Sequence, residues 1–211
     1  MIIAVDGESA SGKGTVSKLL AEKLKFAYLD TGLLYRAVAF LCLQKNVMDN
    51  EESIITVAQN ITSSDLNIDG LRGDDIAVLA SRVANIPKVR EALFNFQVDF
   101  ANNPPNGKKG AILDGRDIGS VICPNAEIKF YVCASAEERA NRRYKELVKT
   151  NPNILFEDIL NSLKKRDEND KNRAIGALKK VDDAILVDNT NLNIEETFNF
   201  MYSYIKKIMG L

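Results

Sequence analysis

The sequence has 211 residues, 45% of them hydrophobic and 27% charged, which is the composition of an ordinary globular protein with a sizeable core. Its 28 basic and 29 acidic side chains leave a formal net charge of −1, so nonspecific attraction to nucleic acid or a membrane surface is not expected. The chain contains no histidine, which excludes histidine-based acid–base catalysis and histidine metal ligands.

Cysteine usage and the N-terminus both predict a cytoplasmic protein. The three cysteines, Cys42, Cys123 and Cys133, lack CxxC spacing, and we expect small buried residues in a reducing compartment. The N-terminal MIIAVDGES has no basic start followed by a long apolar run, as a signal peptide would. No segment reaches the roughly 18 consecutive apolar residues of a membrane span.

The first half of the chain alternates apolar runs with helical patterns. Residues 2–5 (IIAV) predict a strand that leads into a glycine-rich loop and then a helix over about 13–25. A second strand over 26–29 is followed by a helix over about 31–44. The next predicted features are helices at about 52–60 and 74–85, with a small strand and turn at 66–70 (LNIDG) between them.

The second half continues the alternation. A helix over about 88–102 ends in a loop over 102–110, and a third strand follows at 111–113. The remaining predicted elements are strands at 128–132 and 184–187 and helices at about 135–149, 156–170 and 193–208. Because short apolar strands alternate with helices, the pattern predicts an α/β fold with a five-stranded, mostly parallel sheet flanked by helices.

The stretch GESASGKGT, residues 7–15, departs in one place from the usual phosphate-binding loop G-x-x-x-x-G-K-[ST]. Gly7, Gly12 and Lys13 fit the pattern, but Gly14 follows the lysine and Thr15 comes one place later. The backbone N–H groups of such a loop and the positive end of the next helix bind phosphate oxygens. With a strand before it and a helix after it, the loop predicts nucleotide binding rather than a chance glycine-rich turn.

The late threonine changes how a metal ion would be held. One residue along a helix is a rotation of about 100°, so Thr15 cannot place its hydroxyl where a residue directly after Lys13 would. Mg²⁺ usually keeps several waters and binds substrate phosphates, so we expect no direct protein ligand. Asp114, just after the third strand, is a candidate for holding a metal-bound water. A small-molecule kinase is favoured over a GTPase with switch loops.

Four motifs together resemble the bacterial cytidylate kinases, which are nucleoside monophosphate kinases. In chain order they are DGESASGKGT (6–15), LDTGLLYR (29–36), LDGRDIGSVICPNA (113–126) and RDENDKNR (166–173). The resemblance implies the P-loop nucleoside monophosphate kinase fold. It also implies an enzyme that transfers a phosphoryl group from ATP, with Mg²⁺, to CMP and dCMP.

The resemblance also divides the single kinase domain into parts. The predicted parts are a core at 1–45, 86–150 and 177–211, a reduced monophosphate-binding insert at 46–85, and a lid segment at 151–176. The family commonly carries a small β-rich insert, whereas here only LNIDGLRGDD (66–75) stands between helices. Arg72 still lines up with an arginine near the end of that insert, and a monomer is expected.

Two phosphorylated ligands facing each other require arginines, because guanidinium binds phosphate bidentately and stays charged. Arg36 and Arg116 each lie just beyond the carboxyl end of a predicted strand, where ligands bind in open α/β sheets. Arg166, Asp170 and Arg173 stand at i, i+4 and i+7, which would put them on one stripe if the helix continues to residue 173. That spacing alone fits a binding surface or an exposed salt-bridge ladder equally well.

Loop pattern and resemblance together give a full set of candidate site residues. The ATP-binding candidates are Gly7, Glu8, Ser9, Ala10, Ser11, Gly12, Lys13, Gly14, Thr15, Arg142 and Arg143. The CMP-binding candidates are Thr31, Tyr35, Arg36, Ser81, Arg90, Arg116, Asp117, Arg166, Asp170 and Arg173. The catalytic candidates are Lys13, Arg116, Arg166 and Arg173. By resemblance, the lid arginines approach the phosphates and Asp170 contacts the ribose hydroxyls of the monophosphate.

Several of these candidates also fit structural roles. Thr31 could cap the helix that follows it, and Tyr35 could be a core residue. Arg142 and Arg143 could lie on a charged helix face, and Ser81 could be a helix-surface serine. Asp117 could pair with Arg116 or form a turn.

The base pocket of the family maps onto Ser81, Arg90 and Asp117. Cytosine offers an amino donor at C4 and acceptors at N3 and O2, whereas uracil offers O4 as an acceptor and N3–H as a donor. Arg90 would donate to the cytosine acceptors while Asp117 accepts from the amino group. Such a pocket rejects uracil because its own polar groups would be left unpaired.

Two other functions stay open from the sequence. A P-loop kinase could act on another acceptor, such as UMP, AMP or a small alcohol like shikimate, although Asp117 and Asp170 favour a nucleotide. A nucleotide-binding regulator without transferase activity would leave the arginine clusters unexplained.

Overall fold

The computed structural model describes residues 1–149 and 151–210, in which helices surround one parallel sheet. The strands are β1 (Ile2–Gly7), β2 (Ala27–Asp30), β3 (Ala111–Gly115), β4 (Ile128–Cys133) and β5 (Ile185–Asp188). The α-helices are α1 (Lys13–Leu24), α2 (Thr31–Gln44), α3 (Glu51–Gln59), α4 (Asp74–Val83), α5 (Pro87–Asn102), α6 (Ala136–Leu147), α7 (Phe156–Lys171) and α8 (Ile194–Met209). Thr150 and Leu211, the last residues of the predicted core segments 86–150 and 177–211, lie outside the described residues.

The strands are hydrogen-bonded in the order β2-β3-β1-β4-β5, and each pair of neighbours is parallel. The predicted α/β fold with a five-stranded sheet is confirmed. β1 lies in the middle with both faces covered, which explains its unbroken apolar run. Ile3 and Val5 pack with residues of α1 and α8, whereas Ala4 packs with residues of α2 and α5.

The order of the strands determines where the functional loops lie. In a parallel sheet the carboxyl ends of all strands reach the same edge, which is where open α/β sheets bind ligands. The loop after β1 therefore lies between the loop after β3 on one side and the loops after β4 and β5 on the other.

The strand predicted at 66–70 is wrong. The chain forms a short 3-10 helix over Ser63–Asn67 and then a turn in which Gly70 has a φ of 89°. A capping box begins this helix, with the backbone N–H of Thr62 donating to Asp65 Oδ2 at 2.8 Å. The local Thr-Ser-Ser-Asp capping chemistry therefore outweighs the β propensity of LNI.

Residues 46–85 share their apolar core with the rest of the fold. Ile54 and Val57 of α3, and Ala80 and Val83 of α4, lie in one buried cluster with residues of α2, α5 and β3. A separate role for this segment in binding the monophosphate remains a prediction. Among the described residues, none of the helices combines the length and apolar character needed to span a bilayer.

Candidate active site

The glycine-rich loop joins the end of β1 to the start of α1. Gly7 must lack a side chain, because a Cβ there would lie 2.0 Å from the carbonyl oxygen of Val132 on β4. Gly12 adopts a left-handed conformation, with a φ of 82°, directly before α1. Asn189, after β5, donates from Nδ2 to the carbonyl oxygen of Ser11 at 2.8 Å and so supports the loop. The N-terminal amides of α1 are thus presented to the cleft.

Lys13 is buried in this loop as a cation near Asp114. Its Nζ donates to the carbonyl oxygen of Glu8 at 3.2 Å and lies 3.8 Å from Asp114 Oδ1. Burial, with the nearby Arg116 guanidinium, lowers the pKa of Lys13 to about 8. A buried, incompletely paired ammonium group is suited to bind a phosphate oxygen.

The structure explains why glycine, and not serine or threonine, follows Lys13. A Cβ at Gly14 would lie 2.9 Å from Asp114 Oδ2 and 3.5 Å from the Tyr28 hydroxyl. The Tyr28 hydroxyl donates to the same Asp114 oxygen at 3.3 Å. An aspartate from β3 and a tyrosine from β2 therefore fill the space that a side chain at position 14 would need.

Asp114 has the properties expected of a carboxylate that faces a hydrated metal ion. Its Oδ1 is buried and has no hydrogen-bond partner in the described part of the chain. Burial is the main cause that raises the pKa of Asp114, to about 6. The described residues contain no cluster of three or more cysteine, aspartate or glutamate side chains that could hold a metal ion. The residues present fit a water-mediated contact better than direct coordination.

Asp6, which no sequence motif pointed to as a site residue, organises the turn after β3. Its Oδ1 accepts from the backbone N–H of Ile118 at 2.8 Å, and its Oδ2 accepts from that of Gly119 at 2.7 Å. These bonds hold the segment that carries Arg116 and Asp117. The only indication in the sequence was a charged residue at the end of the central apolar strand.

The buried Asp6 predicts a pH dependence of stability. Burial raises the pKa of Asp6 from 3.8 to about 7, so the folded state binds a proton more tightly than the unfolded state. This stabilising contribution is complete below the unfolded pKa and is lost as the pH rises from about 4 to about 7. Its full size is about 4 kcal/mol.

Asp6→Asn is expected to remove this slope, because asparagine does not titrate. Urea unfolding of wild type and variant at several pH values between 4 and 8 measures the difference in their free energies of unfolding. Between pH 4 and 7 that difference should vary with pH at the slope expected for the uptake of about one proton. Parallel curves for the two proteins would show that Asp6 does not titrate in this range.

Arg116, Asp170 and Arg173 form one network in the cleft. Arg116 Nε donates to Asp170 Oδ2 at 2.7 Å, and Arg116 Nη2 donates to Ser9 Oγ at 3.0 Å. Arg173 Nη2 donates to the other oxygen of Asp170. These residues are no exposed salt-bridge ladder, since the Asp170 and Arg173 side chains are only 9% and 6% exposed. The predicted helical stripe is also incomplete, because α7 ends at Lys171 and Arg173 lies beyond it.

Arg166 is the cation of this group that lacks a carboxylate partner. It lies in the cleft, and no carboxylate of the described residues is within ion-pair distance of it. Burial and the nearby Arg116 lower the pKa of Arg166 to about 10, because two cations share a partly desolvated space. Such an arrangement favours the binding of an anion.

The predicted base-reading residues form a buried ion pair. Arg90 Nη2 donates to Asp117 Oδ2, and both side chains are 7% exposed. The Arg90 guanidinium also lies 5.4 Å from the centre of the Tyr35 ring. Asp117 therefore pairs with Arg90 and not with Arg116. Ser81 is half-buried and lines the same cavity.

The remaining predicted residues lie at the cleft but also make structural contacts. Thr31 does not cap α2, because its hydroxyl donates to the carbonyl oxygen of Asp114 at 2.8 Å. Arg36 Nη1 donates to the carbonyl oxygen of Leu71 at 2.8 Å and so holds the turn before α4. Arg142 Nη2 donates to the carbonyl oxygen of Asn189 at 2.7 Å, and Arg143 Nη2 donates to Asp74 Oδ1 at 2.6 Å.

One cavity of about 1480 Å³ brings the predicted site residues together. It is lined by the predicted residues other than Gly7 and Glu8. Gly7 lies beside Val132 of the neighbouring strand β4. The Glu8 carboxylate binds Arg139 at 3.4 Å and Lys171 at 2.8 Å on the other side of the loop. The cavity is larger than a usual single-ligand pocket of roughly 300–1,000 Å³.

This fold and this site define a class of protein. The phosphate loop follows the central strand, guanidinium groups from three distant segments face it, and the cavity has room for two ligands. That is the architecture of an α/β P-loop phosphotransferase.

Comparison with known proteins identifies the family within this class. The family model described as "Cytidylate kinase" matches residues 3–207. Proteins named "Cytidylate kinase" from Azorhizobium caulinodans and Paramagnetospirillum magneticum are 46% and 44% identical, covering 100% and 93% of both chains respectively. An uncharacterized protein from Eubacterium ventriosum has a similar fold, with a TM-score of 0.54 over 98% of each chain at 18% identity. The chain belongs to the cytidylate kinase family.

Proposed function

We propose that the protein phosphorylates CMP and dCMP with ATP, forming ADP and CDP or dCDP. Membership of the cytidylate kinase family supports ATP-dependent phosphorylation of CMP. The observation that carries the proposal is that one cavity is lined by a phosphate loop, by the buried Arg90–Asp117 pair and by the cation Arg166.

The proposed sites of the two nucleotides lie on opposite sides of β1 in the sheet order. Asp117 follows β3 on one side of β1, and Asn189 follows β5 on the other side. We place the cytosine at the Arg90–Asp117 pair and the ATP base beyond the loop, near Arg142 and residues 189–195. The phosphates of the two nucleotides would then meet above Lys13.

The chain's contribution to the reaction is mainly charge and position. Phosphoryl transfer passes through a loose transition state and needs little general-base catalysis, which suits a chain without histidine. Lys13 would bind the β and γ oxygens of the donor, while Arg116, Arg166 and Arg173 would stabilise charge on the moving group. Asp170 would accept from the ribose hydroxyls and holds two of these arginines.

Mg²⁺ is proposed as the cofactor, with Asp114 holding one of its waters. When bound, the ion would neutralise charge on the phosphate oxygens. Asp114 itself is kept in place by Tyr28 and by the absence of a side chain at Gly14.

Gly14→Ala is expected to lower kcat by about tenfold, because the added Cβ must displace the Asp114 carboxylate. The Mg²⁺ concentration for half-maximal activity should rise with it. Steady-state rates over a Mg²⁺ series measure both effects. Gly107→Ala is the control outside the cavity: a Cβ there meets nothing within 4 Å, and its left-handed φ of 66° should lower stability without changing kcat or the response to Mg²⁺. Wild-type kinetics in Gly14→Ala would show that Asp114 does not need its present position.

The proposed function is tested by ADP release in the presence of ATP, Mg²⁺ and one acceptor at a time. CMP and dCMP should be phosphorylated, and UMP and AMP should be poor acceptors. A preference for UMP, AMP or a small alcohol would replace the proposal with a different P-loop kinase. ATP binding without ADP release for any acceptor would indicate a nucleotide-binding regulator.

A monomer in the cytoplasm is proposed as the working form. The cavity and its cations are supplied by one chain, so no second copy is needed to complete the site. Light scattering at micromolar protein concentration tests the monomer.

A further inference from the structure

Two buried charged residues form a pair behind the phosphate loop, outside the cavity. Arg139 lies on α6 and Asp167 on α7, and their side chains are 3% and 9% exposed. Arg139 Nη1 donates to Asp167 Oδ2 at 2.6 Å, and Arg139 Nε donates to the carbonyl oxygen of Ala134 at 2.9 Å. Neither residue lines the cavity, so neither is placed to touch a nucleotide.

This pair binds both backbone polar groups of Ser9 in the loop. The backbone N–H of Ser9 donates to Asp167 Oδ1 at 3.3 Å, and the carbonyl oxygen of Ser9 accepts from Arg139 Nη1 at 2.9 Å. The Ser9 hydroxyl meanwhile accepts from Arg116 on the cleft side. Ser9 is thus held by α6 and α7 from behind and by the β3 turn from the front.

The same contact sets the rotation of α7. Asp167 lies between Arg166 and Asp170 on that helix, and those two side chains line the cavity. Successive residues of a helix are rotated by about 100°, so fixing Asp167 against Ser9 fixes the direction in which its neighbours project. The position of the lid charges is therefore tied to the phosphate loop.

We propose that Arg139 and Asp167 are positioning residues that join the lid helix α7 to the phosphate loop. They keep Arg166 and Asp170 aligned with the phosphates that the loop binds. This inference rests on the proposed function, because alignment of lid and loop matters only for transfer between two bound nucleotides.

A purely structural role does not explain this buried pair well. A buried ion pair contributes little net stability compared with apolar residues of the same size, so stability alone gives weak reason for it. Its hydrogen bonds to the Ser9 backbone instead give a specific geometric role, which kinetics can detect.

The test uses Asp167→Asn, Arg139→Met and the double variant in the full chain. Asparagine keeps an acceptor for the Ser9 N–H but loses the charge that binds Arg139, whose guanidinium still has Glu8 as a partner. We expect kcat/KM for CMP to fall about tenfold in each single variant and no further in the double variant, because both act through one link. ATP affinity measured without CMP should stay within about threefold.

Glu168→Gln is the matched control, since it makes the same chemical change on the next, exposed residue of α7. Its kcat/KM should stay within about twofold of wild type. If the Asp167 and Arg139 variants lose thermal stability but keep wild-type kcat/KM, the pair is only structural and the proposal is overturned. Losses that multiply in the double variant would also overturn it.

Hydrogen exchange of the ligand-free proteins tests the link without any acceptor. Asp167→Asn should increase exchange in peptides covering residues 8–16 and 156–171, and leave peptides of β3 unchanged. Unchanged exchange in both segments would contradict the proposal. If wild type fails to phosphorylate CMP, the proposed function fails, and this measurement still decides whether the link exists.

Discussion

Lys13→Met is expected to lower kcat by about a thousandfold while the protein stays folded. Lys13 is the buried cation of the phosphate loop, 3.2 Å from the Glu8 carbonyl and 3.8 Å from Asp114. Methionine keeps the length and the apolar stem of lysine but removes the charge that would meet the transferring phosphoryl group. The loss should appear in kcat at saturating ATP and CMP, because charge on that group is greatest in the transition state.

The control for this experiment is Lys23→Met on the same helix. Lys23 lies near the Tyr202 ring at 5.9 Å and does not line the cavity, so its removal should leave kcat within about twofold. Circular dichroism and urea unfolding of both variants report the folded fraction. A Lys13→Met enzyme with a tenth or more of wild-type kcat would contradict the assignment of Lys13 to the phosphoryl group.

Asp117→Ala is expected to lower kcat/KM for CMP by about a hundredfold and to change that for UMP far less, so base preference is largely lost. Asp117 is buried against Arg90 and lines the cavity. Its carboxylate would accept from the amino group of cytosine and repel the O4 atom of uracil. The measurement is the ratio of kcat/KM for CMP to that for UMP, which does not depend on the folded fraction.

Removing Asp117 also leaves Arg90 as an uncompensated buried cation, at a cost of about 3 kcal/mol in stability. Asp183→Ala is the control for losing an ion-paired aspartate outside the cavity: its partner Lys129, 2.6 Å away, is buried, but Asp183 is 65% exposed, so its removal should cost less stability. The base preference of Asp183→Ala should equal that of wild type. An unchanged preference in Asp117→Ala would remove Asp117 from the base pocket. A changed preference in Asp183→Ala would mean that the ratio also responds to changes outside the pocket.

At residues 66–70 the local sequence pattern was insufficient to predict the secondary structure. LNI at 66–68 has β propensity, but a strand needs a neighbouring strand with free edge groups, and a short local pattern cannot reveal whether one is present. The same segment contains the capping residues Thr62 and Asp65. Their local hydrogen bonds begin a 3-10 helix in place of the predicted strand. That the segment is a reduced insert stays a prediction, and its conformation could not be read from the sequence.

The late threonine, Thr15, likewise separates what the sequence could reveal about the site from what only the fold shows. The sequence revealed that the hydroxyl was displaced and that Asp114 was available. Only the fold shows that Asp114 and Tyr28, from two other strands, occupy the space beside Gly14. The Tyr28 hydroxyl contacts the carbonyl oxygen of Gly14 and the carboxylate of Asp114. These partners are 14 and 86 positions away from Tyr28 along the chain, so no local pattern could connect them.

Apart from the strand at 66–70, the sequence by itself determined the order of the five sheet strands and the α-helices, the phosphate loop and the family, because hydrophobic periodicity and motif spacing are local properties of the chain. The tertiary structure alone decided that Asp117 pairs with Arg90, that Asp6 holds the turn after β3, and that Arg139 and Asp167 bind Ser9. Burial of these groups requires partners, and the partners come from segments that only the folded sheet brings to one edge.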